Sequence, residues 1–129
     1  MGRQGGADTN QVNALNLLSR KLYLTGNYDT ALVLANQALK LAQSFPSLGG
    51  GRGWLKGIAN AYTNIGIVCA NQGNYPEALK NYFAALKIRE ETGDKQGIAS
   101  SYNNIGIVYY FQGNYPVALK NYFAALKIM

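Results

Sequence analysis

The sequence predicts an all-α chain folded as three stacked helical hairpins, and two observations predict it. The phrase NYPEALKNYFAALKI at residues 74–88 recurs as NYPVALKNYFAALKI at residues 114–128 with one letter changed, and a looser version, NYDTALVLANQALKL, begins at Asn27. Around each copy the apolar residues recur at spacings of three and four, the period of a helix with one buried face. Self-similarity at a period of roughly 20–50 residues marks a repeat architecture, because a single hairpin cannot bury its own apolar stripe and must stack on a neighbour.

Taken in order, residues 1–9 are expected to be frayed or disordered and residues 10–45 to form the first hairpin. Its stripe runs through Leu15, Leu18 and Leu22, turns at Gly26, and resumes with Ala31, Leu32, Ala35, Ala38 and Leu39. The Gly-rich stretch 46–57, which also holds Pro46, reads as an enlarged connection, with Trp54 positioned to seal the joint. Residues 58–92 form the second hairpin and 93–129 the third. In the third, Asp94 is the expected N-cap of the first helix, its carboxylate accepting from a first-turn amide. Gly113 stops that helix and Pro116 opens the next, where its missing N–H does no harm. Gly66 and Gly106 lie within helices at a cost of about 1 kcal/mol relative to alanine. Close approach of the partner helix at Ala78 and Ala118 is the expected compensation.

Composition removes several functions. The chain has no histidine and a single cysteine, Cys69, so His-based metal sites, Ser–His or Cys–His nucleophile pairs and an internal disulfide are excluded. Cys69 falls on the apolar stripe and reads as a core residue. Six acidic residues, Asp8, Asp29, Glu77, Glu90, Glu91 and Asp94, lie near helix ends or turns and form no pair suited to acid–base chemistry. GGGRGWLKG lacks phosphate-loop spacing. The net charge of +6 is spread without a dense basic run, and Lys80, Lys87, Lys120 and Lys127 read as a solvated face, which disfavours a nucleic-acid partner. No stretch has the length to span a bilayer.

The signature letters resemble the tetratricopeptide repeat. In the third unit they are Tyr102, Ile105, Gly106, Tyr109, Gly113, Tyr115, Ala118, Tyr122 and Ala125; in the second, Tyr62, Ile65, Gly66, Cys69, Gly73, Tyr75, Ala78, Tyr82 and Ala85. The first is degenerate, with Leu15, Leu18, Ser19, Leu22, Gly26, Tyr28, Ala31, Ala35 and Ala38. The spacing of 40 exceeds the family's commoner 34, and the usual late proline is Glu90, so the chain looks like a long-period variant similar to the repeats of kinesin light chains. The resemblance implies a right-handed α-solenoid without catalytic function or cofactor, in which the first helices of the hairpins wall a concave groove.

Between residues 60–88 and 100–128 seven positions differ, and four of them map onto the ligand-facing positions that the resemblance implies. Those positions hold Asn60, Thr63, Asn64, Ile67 and Asn71 in the second unit. In the third they hold Ser100, Asn103, Asn104, Ile107, Tyr110 and Phe111, and in the first Asn16, Arg20 and Tyr23. Asn64 and Asn104 stand where family members grip a peptide backbone, a task suited to a carboxamide that both donates and accepts. The family's carboxylate clamp is not matched, because Asn16, Ser100 and Asn104 occupy its basic positions. The expected function is a scaffold that binds a peptide or helix of a partner protein in the groove. The alternative is an oligomerisation or sensory segment of a larger signalling protein. Residence in the cytoplasm is expected, and self-association through the terminal helix would cover an apolar face that further repeats would otherwise cover.

Overall fold

In a computed structural model the backbone is described for residues 2–44 and 52–128, and the side chains for residues 9–44 and 54–128. Six helices follow in order: α1 (Gly2–Leu24), α2 (Tyr28–Gln43), α3 (Arg52–Asn71), α4 (Tyr75–Thr92), α5 (Lys95–Phe111) and α6 (Tyr115–Ile128). Consecutive helices pair as hairpins, α1 with α2, α3 with α4 and α5 with α6. The hairpins stack through α2 on α3 and α4 on α5, and α1 also touches α3. The result is an α-solenoid whose first helices, α1, α3 and α5, stand side by side.

The hairpin turn is the same each time. Gly26, Gly73 and Gly113 hold φ of +86°, +79° and +80°, a region open to glycine at little cost. Each lets the next asparagine donate its backbone N–H to a carbonyl five residues back: Asn27 to Leu22 at 2.8 Å, Asn74 to Cys69 at 2.8 Å and Asn114 to Tyr109 at 2.9 Å. These bonds satisfy carbonyls that the end of a helix leaves without partners. Between the second and third hairpins, Asp94 caps α5 as its sequence position predicts, Oδ1 accepting from the Gly97 amide at 3.0 Å.

Two boundaries differ from expectation. Helix α1 is already helical from Gly2, so the frayed segment set at residues 1–9 is helical backbone over residues 2–9. Once Val12 is buried, extending the helix backwards costs little compared with nucleating one. The connection set at 46–57 is shorter, because residues 52–57 are the opening turns of α3. Trp54 fixes that start: it is buried with Val12, Ala38, Ala42 and Ala61, sealing the first joint from within a helix. The rest of the expected connection, residues 46–51, lies outside the described residues.

The glycines of α3 and α5 face a different neighbour from the one expected. A Cβ on Gly66 would lie 2.6 Å from the Tyr82 ring, and one on Gly106 would lie 2.7 Å from the Tyr122 ring. The tyrosine rings, rather than Ala78 and Ala118 side chains, therefore occupy the space. The first hairpin solves the same contact in reverse. Ser19 replaces the glycine, Ala35 replaces the tyrosine, and the Ser19 hydroxyl donates to the Ala31 carbonyl at 2.7 Å.

Two outcomes test this packing. In urea unfolding, Gly66→Ser alone should cost about 1–3 kcal/mol by overpacking and Tyr82→Ala alone about 3–5 kcal/mol by leaving a cavity. The double variant, which copies the first hairpin, should cost less than the two added together by roughly 0.5–3 kcal/mol. Burial also raises the Tyr82 phenol well above its ordinary pKa, with smaller contributions from Tyr23 and Cys69. Below the unfolded-chain value of about 10 the phenol is neutral in both states, and above it only the unfolded chain ionises, so stability falls as pH rises. Denaturant melts taken on either side of about pH 10 should show a shallower fall for Tyr82→Phe than for the parent protein.

Candidate ligand groove

Helical spacing brings the predicted positions to one wall. Asn13, Asn16, Leu17, Arg20 and Tyr23 of α1, Lys56, Asn60, Thr63, Asn64 and Ile67 of α3, and Ser100 and Asn104 of α5 line an open trough of about 640 Å³. Ile67 and Asn104 also border an adjoining trough of about 440 Å³, lined further by Asn71, Tyr75, Ile107 and Phe111. Most of the sequence-predicted residues thus share one continuous depression, polar and basic at the α1 end and apolar at the α5 end. Asn103 and Tyr110 line neither part. Asn103 is exposed, and the Tyr110 ring packs edge-on against Phe111 and tilted against Tyr115, both at 5.5 Å.

The floor is a network of carboxamides with their partners already chosen. Asn64 is buried and donates through Nδ2 to the Asn16 carbonyl at 3.0 Å, tying α3 to α1. Asn16 is buried as well and donates through Nδ2 to the Gly57 carbonyl at 3.1 Å. Its Oδ1 is left without a hydrogen-bond donor among the described residues. Gly57 is held in close contact, since a Cβ there would meet Val12 at 2.7 Å. Asn64 and Asn16 are therefore not simply surface side chains awaiting a ligand, because half of each carboxamide joins the first two hairpins. Thr63 turns its hydroxyl back to the Ala59 carbonyl at 3.0 Å.

Sequence reasoning misses Arg89. It lies near the end of α4, only 7% exposed, and reaches across the second joint. Nη1 donates to Ser101 Oγ at 2.9 Å and to the Gly97 carbonyl at 3.5 Å, and Nη2 donates to Asn60 Oδ1 at 3.1 Å. All three acceptors are uncharged. Burial pulls the guanidinium's pKa below its ordinary value while nearby Asp94 opposes the shift. The first joint has Ala42 at the equivalent place, packed among apolar side chains, so α2 carries no such arm. Lys56 is missed for another reason: the sequence reading places it in the connection, whereas the forty-residue offset sets it opposite Gln96, one turn ahead of Ser100.

Among the described residues, Arg20 and Lys56 are the charged groups lining the larger trough. Burial raises the Tyr23 phenol pKa, and the adjacent Arg20 partly offsets the shift. Among the described residues no cluster of acidic or cysteine side chains has the make-up of a metal site, and no helix is long and apolar enough to cross a membrane.

A family profile for the tetratricopeptide repeat matches residues 57–129. The chain belongs to that family. A search of curated proteins finds no match. Among solved structures, the tetratricopeptide-repeat domain of Arabidopsis FLU superposes with a TM-score of 0.78 at 21% identity, covering 93% of this chain and 95% of that one. The N-terminal domain of stress-induced protein-1 from C. elegans gives 0.71 at 19% identity, covering 95% and 87%. BtubC from P. vanneervenii gives 0.75 at 23% identity, covering 91% of this chain and 45% of that one. At these identities the likeness is one of fold. Tetratricopeptide repeats are in general non-catalytic scaffolds for protein–protein interaction, and this chain has their architecture.

The internal use of Asn64 has a measurable consequence. Asn64→Ala should lower unfolding free energy by about 1–3 kcal/mol, since it removes the α3–α1 tie from a buried position. Asn104→Ala, at the matching place on α5, should cost less than half of that in the same denaturant titration.

Proposed function

We propose that the trough walled by α1, α3 and α5 receives an extended segment of a partner protein. One observation carries this reading: a continuous depression lined by carboxamides and two cations at one end, and by Ile67, Ile107 and Phe111 at the other. Carboxamides match the donors and acceptors of a peptide backbone, and an apolar end gives a side chain somewhere to anchor. The sequence differences between the second and third repeats gather on the same wall, as they would if the framework were common to the repeats and the surface specialised.

Ser100 is exposed and borders the trough, so Ser100→Trp should fill it without disturbing the core. Stability should change by less than about 0.5 kcal/mol, while a peptide selected on the parent protein from a random linear library should lose at least about tenfold in affinity, a loss of ~1.4 kcal/mol. Unchanged affinity would place the peptide elsewhere and end the groove reading.

A second reading is favoured by α6. Leu119, Phe123 and Leu126 are 53%, 58% and 65% exposed, whereas Leu86, the counterpart of Leu126 on α4, is 7% exposed beneath α5. An apolar face of this kind suits self-association. Sedimentation velocity over a concentration series should then show a dimer that Leu126→Glu dissolves. A species that stays monomeric at high concentration removes this reading.

A further inference from the structure

The carboxamides of the trough have their orientation set by chemistry. A guanidinium can only donate, so the Asn60 atom facing Arg89 at 3.1 Å is Oδ1, and the Nδ2 donor is the free half of that side chain. A backbone carbonyl can only accept, so Asn64 and Asn16 spend their Nδ2 groups on the carbonyls of Asn16 and Gly57 and keep Oδ1. For Asn16 that oxygen is buried and has no donor among the described residues. Such an acceptor is destabilising until a donor reaches it. The trough thus presents a donor at Asn60 beside an acceptor at Asn64, with the Asn16 oxygen buried beneath them.

We infer that Arg89 is a positioning residue for this groove: reaching from α4 through the second joint, it fixes the Asn60 carboxamide so that the floor selects a peptide amide, which offers both C=O and N–H, over an acceptor-only group such as a carboxylate. The inference rests on the groove reading above and extends it to the chemistry of the bound group. A partner carbonyl accepts from Asn60 Nδ2, and a neighbouring partner N–H donates to the Asn64 oxygen. Arg89 itself touches no ligand. Its guanidinium, shielded from solvent, is suited to the task because its fork spans Ser101, Gly97 and Asn60 at once.

The test uses the full chain and a peptide selected on it from a random linear library. Asn60→Asp keeps an oxygen for Arg89 and adds charge to the pair, so the melting temperature should hold or rise. The groove loses its donor, and affinity should fall at least tenfold. Arg89→Lys, whose single ammonium cannot reproduce the fork, should weaken binding even at temperatures where the variant is fully folded. It should also abolish the change that peptide addition produces in the Asn60 side-chain NH₂ resonances of the parent protein, a response that a purely structural arm would leave in place for the folded molecule. Parent-like affinity in Asn60→Asp, with Ser100→Trp still abolishing binding, would overturn the role given to Arg89 and leave the groove intact. Insensitivity of the peptide to both Asn60→Asp and Ser100→Trp would overturn the groove itself, and the inference with it.

Discussion

The Tyr82 ring lies against the backbone of α3 at Gly66, and Tyr122 does the same against α5 at Gly106. This contact sets how close the two helices of a hairpin come, and the rest of the solenoid depends on that spacing. A glycine inside a helix is unfavourable by itself, but here its missing side chain is the space that an aromatic ring occupies. The first hairpin carries Ser19 and Ala35 in those places and recovers a bond from the serine hydroxyl to the Ala31 carbonyl. Two chemistries therefore produce one geometry. With hairpin geometry alike in all three, the first helices stand in register, and side chains a turn apart on each of them converge on one trough.

Much of this was legible in the letters. The forty-residue offset, the Gly-Asn-Tyr turns, the Asp94 cap and the core place of Cys69 all follow from local chemistry or from periodicity, and the structure has each of them. The trough was legible too wherever positions could be carried from one repeat to the next. What escaped was the chemistry of the joints. Arg89 has alanine as its counterpart at Ala42, so repetition gave no hint that a cation is buried there. Trp54 seals the first joint as its place in the sequence suggests, but it and Lys56 lie on a helix where the Gly-rich run reads as a connection. The second use of Asn64 was hidden because its partner, the Asn16 carbonyl, is 48 residues away in the chain.

The two joints also differ in how they resist sliding. The first combines the buried apolar surface of Val12, Trp54, Ala38, Ala42 and Ala61 with two neutral bonds, from Asn64 to the Asn16 carbonyl and from Asn16 to the Gly57 carbonyl. The second buries Ile65, Leu86, Ile105 and Val108 in one apolar cluster, and Arg89 adds three directed bonds to α3 and α5. Apolar packing tolerates small displacements, whereas a buried cation held only by neutral acceptors is costly if any of them moves away. The placement of α5 on α3 therefore depends on a charge that must keep its acceptors, and these helices carry Asn60, Ile67, Ser100 and Asn104 on the trough wall.

That contrast explains why the floor is built from asparagine. A lysine or aspartate there would be a mobile charge with strong hydration, and its direction would be set by the ligand. A carboxamide has one donor end and one acceptor end, so fixing one end fixes what the other offers. Asn16 and Asn64 are fixed by backbone carbonyls of a neighbouring hairpin, and Asn60 by the guanidinium of Arg89 from the second helix of its own hairpin, so each fixing partner belongs to a different helix from the asparagine it holds. The stacking of helices is thereby converted into a pattern of donors and acceptors. Arg20 and Lys56 at the rim add attraction without direction, which brings a partner closer but does not determine which of its groups faces the floor.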